Sequence, residues 1–62
     1  MPWNFEDFKQ KNKEFTDAQA KVAAKVANAA LQSCLDAGKD QADCEVSAIR
    51  QGLAMGARLT ED

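Results

Sequence analysis

Histidine and tyrosine are absent from this 62-residue sequence, which holds only one proline, three glycines and two cysteines. Each shortage removes a class of chemistry. Without histidine, a single chain cannot assemble a Ser-His-Asp or Cys-His nucleophile. The two serines, Ser33 and Ser47, fall in helical sequence with no base in view. Two thiolates do not complete the four ligands of zinc, and the separation of Cys34 from Cys44 is not that of a CxxC redox pair. Gly38, Gly52 and Gly56 are too scattered to cradle a phosphate. No apolar run approaches the ~18 residues of a membrane span. Charge, rather than the apolar stretch of a signal peptide, follows Met1-Pro2-Trp3-Asn4, which predicts synthesis in the cytoplasm. The sequence therefore reads as non-enzymatic, with no cofactor, no metal and no small-molecule substrate.

A basic excess is also missing. Eight Lys and Arg stand against ten Asp and Glu, for a net charge of -2. Proteins that bind nucleic acid draw most of their affinity from neutralising phosphate, so this balance argues against such a partner. Lys9, Lys11 and Lys13 are offset by Glu6, Asp7 and Glu14 and read as a solvated face. Arg50 and Arg58 are too few for a DNA-reading helix.

Alanine is what the sequence has in quantity. Twelve alanines and two cysteines leave fourteen larger apolar side chains. That is little to set against an ordering cost of roughly 1.5 kcal/mol per residue. One domain is expected, steadied by a disulfide, by self-association or by a partner surface.

The pattern predicts an all-α fold: a short N-terminal helix packed on a long antiparallel αα-hairpin. Residues 1–15 read as an N-terminal arm with a short helix, 16–59 as the hairpin and 60–62 as a frayed tail. Asn4 is a natural N-cap, Glu6 and Asp7 suit the first turn, and Trp3 stands to Phe8 as in a hydrophobic staple. The first helix should run over about 5–12. Thr16 and Gln19 have capping-box spacing, and the sequence from Asp17 to Ala37 has no helix breaker before Gly38. On this second helix Ala20, Ala23, Ala27, Ala30, Leu31 and Cys34 share one side, and Lys21, Lys25, Asn28, Gln32 and Asp36 form the opposite stripe. Val22 and Ala29 lie off the main face, as incidental exposed residues or as a second contact surface. Asp40 would cap a third helix ending near Ala57 or Arg58, with Ala42, Val46, Ile49, Leu53 and Gly56 as its apolar stripe. Ala48, Gly52 and Gly56 recur every four residues and suggest close packing on the alanine face.

Cys34 and Cys44 lie five residues either side of Lys39. A hairpin turning there brings them level, which permits a disulfide. The Ala42/Val46/Ile49 stripe points Cys44 elsewhere, so two small buried apolar residues are the alternative. Asn28 lowers helix propensity and needs a reason. It could bond the N-terminal arm or the loop before the second helix, or simply face solvent.

Several of these residues carry a resemblance. Met1-Pro2-Trp3, Ala27-Asn28-Ala29-Ala30-Leu31, Cys34, Gly38, Cys44-Glu45 and Ala48-Ile49-Arg50 resemble a short helical module of tailed bacteriophages. That module occurs free-standing or appended to head-assembly proteins, capsid maturation proteases among them. A more distant similarity is to the ChaB family of cation-transport regulators, whose Ala-Trp on the last helix is missing here. The phage resemblance implies a small virion protein, head-associated or capsid-decorating, made in the host cytoplasm and docking on a phage structural protein. Trp3, Phe5 and Phe8 are the candidate partner-binding residues, because aromatic anchors dominate interface energetics. The alternative is that these rings only cap a small core. Two other functions remain open: a phage regulator that binds and inhibits a host protein, and a DNA-binding accessory protein. Self-association is a further possibility.

Overall fold

The computed structural model describes residues 2–59. The fold is all-α, with α1 over Phe5–Lys11, α2 over Asp17–Asp36 and α3 over Gln41–Arg58. The fraying expected of Thr60-Glu61-Asp62 lies outside the described residues. α2 and α3 form an antiparallel hairpin, and α1 packs on α2. The described residues measure 38 × 20 × 15 Å.

Local chemistry sets each boundary. The Asn4 side chain accepts from the Asp7 N–H at 3.2 Å, while the Asp7 carboxylate accepts from the Asn4 N–H at 3.0 Å. Thr16 and Gln19 exchange the equivalent pair at the start of α2. These reciprocal bonds satisfy donors that a helix start leaves free. Asp40 accepts from the N–H groups of Ala42 and Asp43 to open α3. Gly38 turns the chain between α2 and α3 at φ 81°, where a side chain would be strained.

The core is small and made mostly of small residues. It holds Phe8, Phe15, Ala20, Ala23, Ala24, Ala27, Leu31, Cys44 and Ala48, with Trp3, Phe5, Ala30, Cys34, Ile49 and Leu53 packed at its margin. On α3 the buried row is Cys44, Ala48, Gly52 and Gly56. This corrects the stripe expected from the sequence. Ala42 and Val46 are exposed, and Ile49 and Leu53 only half-buried. The reason is backbone proximity. A Cβ placed on Gly52 would stand 2.5 Å from the Ala23 carbonyl oxygen and 3.0 Å from the Ala27 Cβ. Helices this close accept only the smallest side chains between them, so the larger residues of α3 turn outward.

Candidate functional site

The end of the molecule where the aromatics gather is built on α2. Asn28, expected on the polar stripe, is instead buried. Its Oδ1 accepts from the Trp3 N–H at 3.2 Å, and its Nδ2 donates to the Trp3 carbonyl at 2.9 Å. One side-chain amide thus holds both polar groups of one backbone residue. This is the arm contact that a mid-helix asparagine suggested. The Trp3 ring then meets the Phe8 ring edge-on, with centroids 6.3 Å apart, as the staple spacing implied.

The three candidate docking residues differ in what they present. Trp3 and Phe5 are half-buried, so each keeps an accessible edge. Phe8 has 0% exposure and cannot touch a partner. As a docking residue Phe8 is corrected to a core residue, because the helix turn that places it beneath Trp3 also points it at the alanines of α2. The Lys21 ammonium sits 5.5 Å above the Phe5 ring, within cation–π range. Beside the arm lies a groove of about 400 Å³, lined by Pro2, Lys25, Asn28, Ala29, Leu31 and Gln32. Ala29 is exposed and lines this groove, while Val22 is half-buried. Elsewhere Leu35, Val46 and Met55 are the exposed large apolar side chains among the described residues.

At the closed end of the hairpin Cys34 and Cys44 are joined by a disulfide, with Cα atoms 5.6 Å apart. The rotational objection disappears because α3 turns its small row, Cys44 included, toward α2. Cys44 is fully buried and Cys34 half-exposed. Cys34 edges a depression of about 250 Å³ shared with Ser33, Lys39, Ser47 and Gln51.

Two features carry no signal in the sequence. Gln19, beyond closing its capping box, donates from Nε2 to the carbonyls of Gly56 at 3.2 Å and Leu59 at 3.0 Å. It thereby ties the start of α2 to the end of α3. Lys9 pairs with Asp17 across the α1–α2 loop. That hydrogen bond, with the Lys9 charge, holds the Asp17 carboxyl below its ordinary value. Among the described residues no group of three His, Cys, Asp or Glu could hold a metal ion, and no helix is long and apolar enough to cross a membrane. Family models, curated proteins and solved structures return no match to the chain.

Proposed function

We propose that this chain is a small non-enzymatic component of a tailed-phage particle, associated with the head and acting by protein–protein docking. The observation that carries the reading is the inversion of side-chain size. The helix seam is filled by Ala, Gly and Cys, while Leu35, Val46 and Met55 stay in solvent and Trp3 and Phe5 keep open edges. These three side chains and the open edges of Trp3 and Phe5 are the apolar surface that the described residues offer to a partner. The sequence resemblance supplies the phage setting. In this reading Trp3 and Phe5 are the anchors at the arm, with Asn28 and Lys21 fixing how they are presented.

Mass spectrometry of purified particles tests the setting, with the chain expected among the head proteins. Trp3→Ala tests the anchor. Docking predicts that folded variant protein enters particles at a reduced level. A large loss of melting temperature with normal incorporation of the folded variant would make Trp3 a core cap instead. Absence from particles, with a host protein recovered in pull-downs, would favour the host-directed regulator.

A further inference from the structure

We infer that the outward face of α3 is a self-complementary contact through which two copies of this chain pair, with their α3 helices antiparallel. At about 100° per residue, Asp43, Val46 and Arg50 share the side of α3 opposite the Cys44/Ala48/Gly52/Gly56 row that meets α2, and Ser47 flanks them on the side of the Cys34 depression. All four are exposed, so neither α1 nor α2 occupies that face. At its middle Val46 is 55% exposed, the most open of the large apolar side chains described. Lys9–Asp17 is the one ion pair among the described residues, so Asp43 and Arg50 have no salt-bridge partner among them.

The spacing then selects the occupant. Asp43 and Arg50 are seven positions apart, about 10.5 Å along the axis, too far for a short aspartate to meet its own arginine. Their midpoint falls between Val46 and Ser47. A two-fold axis passing there, perpendicular to α3, brings Asp43 of one copy to Arg50 of the other, and Arg50 to Asp43. One contact is made twice, as an isologous interface requires. The same axis keeps each side chain on its own flank, so Val46 of each copy packs against Val46 of the other on one side of the centre and Ser47 meets Ser47 on the other. A parallel pairing in register would set Asp43 against Asp43 and Arg50 against Arg50. The charge pattern therefore fits a second, antiparallel copy of the same helix. Four residues from each copy are far fewer than the roughly 20–30 a side of standard complexes, so pairing belongs at micromolar or higher concentration.

Sedimentation equilibrium of the full oxidised chain tests this, from about 10 µM to about 1 mM, at low and high salt. The wild type is expected to dimerise at low salt and to weaken as salt screens the two pairs. Asp43→Arg and Arg50→Asp should each weaken association by about tenfold or more, because like charges then face one another. The double exchange D43R/R50D should return it to within about threefold of wild type. Arg50→Asp lies mid-helix on the solvent side, and circular dichroism verifies that each variant folds. A wild type that stays monomeric throughout, or a dimer indifferent to both reversals, overturns the inference. Neither result bears on particle incorporation, which is measured separately.

Discussion

Asn28 occupies the middle of a 20-residue helix, where asparagine is among the weaker formers. Its value lies in matching one acceptor and one donor to the N–H and C=O of Trp3, as a neighbouring strand would. Aspartate keeps the acceptor but sets a carboxylate oxygen against the Trp3 carbonyl. Leucine offers neither partner. Both Asn28→Asp and Asn28→Leu should therefore release the arm, at a cost of about 1–3 kcal/mol. In a denaturant titration, Trp3 emission should shift red at lower denaturant than the loss of helical circular dichroism. Coincident transitions at the wild-type midpoint would show that the amide does not hold the arm. The residue was legible in the sequence as an anomaly, because a polar mid-helix side chain calls for a partner. The partner was one of several, since nothing local to Asn28 says how far the arm reaches. Phe8 shows the converse. Its spacing from Trp3 identified the staple, but a staple residue can face a partner or a core, and only the packing of α1 on α2 decides.

The helix pair shows most plainly where periodicity stops being informative. Capping residues fixed the starts of all three helices, because a cap is local chemistry between residues three apart. The buried face of α3 was not legible in the same way. A hydrophobic stripe is drawn through the largest apolar residues, here Val46, Ile49 and Leu53, on the assumption that size seeks the interior. That assumption fails when the opposing helix is itself alanine-faced. Two backbones can then approach until only Gly and Ala fit between them, and dispersion attraction along the whole seam outweighs burial of a few larger side chains. The i+4 series Ala48, Gly52, Gly56 was the available sign of this, and extending it back one turn reaches Cys44. Gly52→Ala is the direct test. In an isolated helix the change is stabilising by about 1 kcal/mol. Here the new methyl meets a backbone oxygen of α2 that cannot swing aside. Net destabilisation of about 1–3 kcal/mol is expected. At Gly56 the added methyl meets the Phe15 ring and the Gln19 carbonyl at 2.9 Å and 3.0 Å, and the ring can give. Gly56→Ala should therefore lower the melting temperature less than Gly52→Ala. The reverse order would mean that the seam is looser at its centre than at its end.

At the scale of the whole molecule, stability rests on a core in which Phe8 and Cys44 are the largest fully enclosed side chains among the described residues. A chain under about 70–80 residues seldom draws more than about 3–5 kcal/mol from such a core. The Cys34–Cys44 bond closes a loop across ten positions of sequence. In the chain-entropy account a loop of that length restricts the unfolded ensemble by about 2.5–3 kcal/mol. The bond thus accounts for a share of stability comparable to everything else the core supplies. It also acts where the fold is otherwise weakest, since the Gly38 turn and the α2 end beside it are exposed, and Gln19 secures only the opposite end of the hairpin. Reduction, or the Cys34→Ser/Cys44→Ala pair, should lower the melting temperature by about 10–20 °C at this chain length. The loss should be directional as well. Amide hydrogen exchange should accelerate first from Ser33 to Ser47, while the Gln19–Leu59 end keeps its protection until global unfolding. A melting temperature within a few degrees of the oxidised protein, or uniform acceleration along both helices, would place the stabilising contribution in the alanine–glycine seam rather than in the covalent link. In a reducing compartment such a dependence has a consequence. Before oxidation the chain would hold its arm and the far end of the hairpin while its closed end stays loose. The outward face of α3 reaches back to Asp43, one residue from Cys44, so a dimer built on it should form more weakly in the reduced chain than in the oxidised one.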